Sequence, residues 1–355
     1  MVLRLVNIEN VVPGSILGKS IYTGSGKVLL SAGLSLTSVY ISRLSKLEIT
    51  EIYIDDNISK GIEIVDVVSQ FVRLEAKSIV KDIIENQTAT RHDISTRLSK
   101  VVDNIVEEIL ANKDTLVSVI DIKTKDNYTF SHCVNVAVLS TVVGVAIGYT
   151  IDRLKKLCLG ALLHDIGKIV IPTKILNTPE KLTDEEFKEV KRHSEYGYKM
   201  VKGNVDYSPI TVSIVLMHHE KSDGSGYPLG IKLDKIHECT RIVSVADIYD
   251  AMTSDRVYRK KLTPGEAMEY LNGMAYQWFD MPVITAFNRC IAPYPIGTSV
   301  RLNTGAAGIV AKINSSIPVR PIVKIIIDSN GNQLQDYYCD LSKELTTSII
   351  EVCTI

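Results

Sequence analysis

Three apolar runs in this chain end on residues that a protein core rejects: GALLHD at 160–165, VSIVLMHH at 212–219 and RIVSVAD at 241–247. A helix carrying such a run buries it, and the histidine or aspartate at its end goes inside with it. An unpaired polar group there costs roughly 2–7 kcal/mol. The three runs therefore constrain one another, because their polar ends must meet partners, and the nearest suitable partners are each other. Two further histidines, His132 in FSHCVNVA and His193 in KRHSEYG, fall in the same stretch, and only His92 lies outside residues 115–291.

Brought together, His132, His164, Asp165, His193, His218, His219 and Asp247 present imidazoles and carboxylates that metal ions would satisfy jointly. These are more groups than one ion takes. Two ions sharing a carboxylate use them economically, and Asp165 is the natural bridge because its neighbour His164 anchors an ion beside it. Nitrogen and oxygen donors without a thiolate favour iron or manganese over structural zinc. Two ions roughly 3.5–4 Å apart can hold a bridging hydroxide and clamp a phosphodiester for in-line displacement. Lys168, in HDIGK, is placed to neutralise a phosphate oxygen as charge builds. Any one of these histidines alone reads more readily as a core or surface residue. The signal is the whole set in one order.

The rest of the chain divides by pattern. Residues 1–60 mix a hairpin signal (YTGSGKVLLSAG), a helix (LTSVYISRLSKL) and a strand (EIYID), a small α+β module. Residues 61–114 form an amphipathic helical connector in which Ile94, Leu98, Val101, Ile105 and Ile109 recur at helical spacing. It is a packed subdomain or a homodimer contact. Residues 115–291 are helical, with start signals at Thr183/Glu186, Ser208–Pro209 and Thr263–Pro264. Residues 292–355 alternate β-branched residues with turn residues, including SNGN, a β-rich module. The expected fold class is α+β multidomain: a central all-α domain flanked by a small N-terminal α+β module and a small C-terminal β-rich module. A formal net charge of −1 argues against a nucleic-acid polymer or a membrane surface as partner. The stretch 134–149 is short for a membrane span and holds Asn135, Ser140 and Thr141, so it is expected to be a buried core helix. Six cysteines without a CxxC pair suggest a reduced, cytoplasmic setting.

HDIGKIVIP, HHEKSDGSGYP and RIVSVADIYDAMTSDRVYR together resemble the HD-GYP family, a branch of the HD superfamily of metal-dependent phosphohydrolases. The resemblance spans about residues 115–291. It implies an enzyme that hydrolyses the bacterial second messenger cyclic di-GMP to pGpG or GMP. It places the family's metal positions on the seven residues named above, its phosphate-contacting lysine on Lys168, and its ligand-contacting tyrosine and basic residues on Tyr227, Arg256 and Arg259. Diguanylate cyclase (GGDEF) proteins are an implied partner of the GYP loop. Some members carry a glutamate for a third metal where this chain has Tyr128, so a dinuclear centre is expected. Two alternatives stay open: hydrolysis of another cyclic dinucleotide or nucleotide, and a gated or inactive cyclic di-GMP receptor.

Overall fold

The computed structural model describes residues 3–23, 27–85, 91–113, 128–176, 178, 180–204, 206–254 and 261–355. They fall into two compact units. Residues up to 66 and from 291 onward share one, and residues 67–113 and 129–290 form the other.

The first unit contains strands β1 (Arg4–Asn7), β2 (Ile16–Leu17), β3 (Ile21–Tyr22) and β4 (Val28–Leu30), helix α1 (Ser38–Lys46) and strand β5 (Glu51–Asp55). Strands β1, β5 and β2 make an antiparallel sheet in that order, with Arg4 opposite Ile54. β3 and β4 form the hairpin read from YTGSGKVLLSAG. The C-terminal residues add β6 (Ser299–Leu302), β7 (Ala307–Lys312), β8 (Ile322–Ile327), β9 (Gln333–Asp340) and β10 (Ile349–Val352), a second antiparallel sheet in the order β10-β6-β7-β8-β9. Its core is Val300, Leu302, Val310, Val323, Ile325 and Leu341. The Leu5 amide donates to the Gly297 carbonyl at 3.0 Å and Lys324 Nζ to the Lys60 carbonyl at 2.7 Å, tying the two ends of the chain together.

The second unit is helical: α2 (Gln70–Glu85), α3 (Arg91–Ala111), α4 (Tyr128–Ile147), α5 (Ile151–Leu163), α6 (Thr173–Leu176), α7 (Asp184–Lys191), α8 (His193–Val201), α9 (Pro209–Met217), α10 (Glu238–Thr253), α11 (Pro264–Gly273) and α12 (Met281–Cys290). The caps anticipated at Thr183, Ser208 and Thr263 are all made, the first and last as full capping boxes. In α3, Leu98, Val101, Ile105 and Ile109 are buried as their spacing requires. Helix α4 is largely apolar and buried from Phe130 to Gly144. It is long and apolar enough to cross a membrane, yet 83% of its apolar window lies inside the protein, as a core helix would. Helix α5 packs on α3 and α9, and α9 on α8 and α10. Gly160 permits the α5–α9 approach, since a Cβ there would sit 2.5 Å from Ile214 Cδ1. The expected α+β class with a helical centre is borne out.

Candidate metal centre

The polar ends of the buried runs do converge. His132 projects from the second turn of α4, and His164 caps the C-terminus of α5 with Asp165 next in the chain. His193 opens α8, His218 caps α9 with His219 following, and Asp247 lies in α10. Six of these side chains are essentially inaccessible, and His219 is 23% exposed at the rim. Gly167, two residues beyond Asp165, lies against the backbone of His193 and Gly197, where no Cβ would fit. That contact sets Asp165 beside α8.

The seven side chains form two groups, one of Asp165, His193, His218 and His219 and one of His132, His164 and Asp247, with the donor atoms of each group within 4.8 Å of one another. Each carboxylate also faces an imidazole of the other group. Asp165 Oδ2 is 3.3 Å from His164 Nε2 and 3.7 Å from His132 Nε2, while its Oδ1 is 3.4 Å from His193 Nε2. Asp247 Oδ1 is 3.0 Å from His132 Nε2 and its Oδ2 3.6 Å from His219 Nδ1.

Tautomer logic shows that this set fits metal. His193 Nδ1–H donates to the Val190 carbonyl at 2.7 Å, and His218 Nδ1–H to those of Ile214 and Val215 at 3.1 and 3.2 Å. In the neutral rings each Nε2 is then a lone pair, and the two face each other at 3.2 Å. Two acceptors that close repel unless a cation lies between them; Ser194 Oγ, 3.4 Å from His193 Nε2, is too distant to resolve the conflict. His164 repeats the pattern, with Nδ1–H on the Ala161 carbonyl at 2.7 Å and a buried Nε2 that bonds to no described residue, and Asp165 Oδ1 is likewise without a hydrogen bond.

The protonation states agree except at His132, where burial lowers the imidazole but the Asp247 and Asp250 carboxylates outweigh it and raise it above its ordinary range. Burial, followed by the crowd of neighbouring imidazoles, holds His218 well below its ordinary range, and burial takes His219 down to about 3. Burial also lowers His193. For Asp165 burial opposes ionisation, but Lys168 and the imidazoles outweigh it and hold the carboxyl well below the usual range. Neutral imidazoles and ionised carboxylates are the forms that bind metal.

Around this cluster, Lys168 places Nζ 2.6 Å from Asp165 Oδ2 with its side chain 26% exposed. Tyr227 stacks on His219 with ring centroids 4.6 Å apart, and burial keeps its phenol protonated. Gly226 packs against the backbone of residues 219–221, where a Cβ would lie 2.5 Å from three atoms, so the GYP loop folds back on the histidine pair. Asp223 is exposed and caps its own loop by accepting from Ser225. Arg256 and Arg259 lie outside the described residues, as does the side chain of Tyr128.

The model of the HD domain family matches residues 104–283. The chain belongs to the HD domain family. A second match, to a KOW domain associated with HD domain, covers residues 299–355, the β6–β10 sheet. A cyclic di-GMP phosphodiesterase of Pseudomonas aeruginosa is 34% identical over 259 residues, 72% of this chain and 62% of that one. This chain thus spans about six tenths of that relative's length. A 3'3'-cGAMP-specific phosphodiesterase of Vibrio cholerae is 35% identical over 169 residues, 47% of this chain and 38% of its own. An HDG"Y"P protein from Bdellovibrio bacteriovorus shares the fold at a TM-score of 0.54 and 18% identity, covering 81% of this chain and 98% of that one. The HD-GYP resemblance read from the motifs is borne out.

Two residues of this HD centre escaped the reading of the sequence. Glu220 is buried, and its carboxylate accepts from the amides of Leu229, Gly230 and Ile231 at 2.6, 3.2 and 3.1 Å, fastening the end of the GYP loop. Asp250 accepts from His132 Nδ1–H at 2.8 Å. Both had a visible sign. Glu220 directly follows the histidine pair, and Asp250 lies one helical turn beyond Asp247 on the same face.

Proposed function

We propose that this HD-family chain hydrolyses cyclic di-GMP, to pGpG or onward to GMP, at a dinuclear iron or manganese centre. The observation that carries the reading is the pair of carboxylates, Asp165 and Asp247, each with one oxygen toward either imidazole group. His132, His164 and Asp247 would hold one ion, His193, His218 and His219 the other, and Asp165 both. A pair of such ions supplies a water-derived nucleophile and offsets charge on a phosphodiester. The chain's own residues do the rest. Lys168, at the rim of the cluster, offers its ammonium to a phosphate oxygen, and burial pushes no proton off it because Asp165 outweighs the desolvation. Tyr227 closes one wall over His219 and keeps its hydroxyl proton to donate. Arg256 and Arg259 enter on the motif alone, as phosphate contacts. Free cysteines throughout the described residues accord with a cytoplasmic setting.

The test is turnover of cyclic di-GMP by anaerobically purified chain, with metal quantified in the same sample. Product at roughly two ions per chain is expected. A filled centre that releases neither pGpG nor GMP would sink the reading, and tight binding of the intact dinucleotide in that sample would point to a receptor. A second substrate, 3'3'-cGAMP, is favoured by the Vibrio cholerae relative's stated specificity, so both dinucleotides belong in the assay.

A further inference from the structure

His132 is held differently from the other buried imidazoles. His164, His193 and His218 each donate Nδ1–H to a backbone carbonyl three or four residues earlier, a partner present once the local helix ends. His132 lies in the second turn of α4 and donates Nδ1–H to Asp250 Oδ2 of α10 at 2.8 Å. Asp250 Oδ1 accepts from Asn135 Nδ2 at 2.8 Å, and Asn135 Oδ1 accepts from Arg73 Nη1 of α2 at 3.0 Å. All four residues are buried, with relative exposures of 2% for His132 and Asp250, 0% for Asn135 and 9% for Arg73.

We propose that Asp250 positions His132 for metal, and that Arg73 sets Asp250 through Asn135, so that the placement of α2 controls the affinity of the centre. The inference rests on the metal reading above. A carboxylate on Nδ1–H fixes the imidazole tautomer, fixes the ring plane and makes Nε2 a better donor than a carbonyl partner does. Asp250 gives that service only while Asn135 presents its NH₂ edge. An amide can flip, and the flipped form would turn an oxygen against the Asp250 carboxylate. The Arg73 guanidinium has donors only, so it can donate to nothing but the oxygen edge and locks the productive orientation. Arg73 belongs to the helix that leads into the unit, and its Nε is held by the Val68 carbonyl at 3.4 Å at the start of that helix. A shift of α2 therefore reaches the His132 arm and no other imidazole by this route.

Cobalt(II) titrated into the full chain, followed by its visible absorption, tests the proposal apart from turnover. Asp250→Asn is expected to weaken cobalt binding roughly 10–100-fold and to change the absorption band. Arg73→Met should move both readouts in the same sense by a smaller factor, Arg73→Lys should restore part of the loss, and the Arg73→Met effect should vanish in the double variant with Asp250→Asn. A purely structural Arg73 would lower the melting temperature and leave the band unchanged. Should Arg73→Met not fold, Arg73→Lys carries the comparison, with a changed band expected because its ammonium lacks the planar fork. An unchanged band and affinity in soluble Asp250→Asn, or additive effects in the double variant, would overturn the relay while the metal reading stands. A wild-type chain that takes up no cobalt would overturn both.

Discussion

The two units handle buried polarity in opposite ways. Among the described residues of the β-rich unit, the buried polar side chains are Ser59, Thr298, Ser299 and Lys324. Ser59 bonds to Asp56, and Lys324 to a backbone carbonyl. These groups are dispersed, and the core of the β6–β10 sheet is aliphatic. The helical unit buries His132, His164, Asp165, His193, His218, Glu220, Asp247 and Asp250, gathered around one centre. An aliphatic sheet core asks nothing of the polar residues around it. Apolar helices that end on histidine and aspartate build a core that is complete only with a cation.

The largest expected effect comes from the residue shared by both imidazole groups. Asp165→Ala should abolish both metal uptake and hydrolysis, read as metal per purified chain and as product released. Normal turnover in that variant would end the dinuclear proposal. On the other side of the comparison, Ile325→Ala in the β8 core should cost about 2–5 kcal/mol of stability, read in denaturant, while metal per folded chain stays at the wild-type level. Loss of metal in folded Ile325→Ala would break the division between the units.

Legibility in the sequence followed the same divide. The seven cluster residues were readable as a set in one order, some of them because they interrupt an apolar run, as His164 does after GALL and Asp247 after IVSVA, while His193 in a charged stretch was readable only with the others. Helix starts were readable because a cap and its partner lie three residues apart, as with Thr183 and Glu186. Arg73 carried no local sign, since its partner Asn135 is reached only through the packing of α2 against α4. The grouping of β1 and Gly297 in one unit was hidden for the same reason: a backbone hydrogen bond between the two ends of a chain leaves no periodicity.

Lys168→Ala sharpens the division inside the helical unit. It should slow turnover by about 10²-fold, the usual cost of one lost electrostatic contact in the transition state, with metal retained. Metal loss instead would mean that the 2.6 Å pair with Asp165 serves the ligand rather than the substrate.

The smallest effect belongs to exposed polar groups in the same unit, where water competes. Thr263 Oγ1 accepts from the Glu266 amide at 3.2 Å, and Glu266 Oε2 accepts from the Thr263 amide and hydroxyl at 2.7 and 2.9 Å. Those two donors, the amide first, depress the Glu266 carboxyl below its ordinary 4.5. Thr263→Ala should cost about 1 kcal/mol at neutral pH. The sign of its pH dependence follows from the depressed value. A carboxyl bound more tightly as the anion in the folded state stabilises above its ordinary range, and that contribution is lost as pH falls through the folded value. The melting-temperature gap between wild type and Thr263→Ala should therefore narrow below about pH 4.5. It should not close, because the hydroxyl still accepts from the Glu266 amide when the carboxyl is protonated. A gap that stays constant from pH 7 to 3 would assign the hydroxyl's contribution to that single bond and leave its bond to the Glu266 carboxylate no share in it.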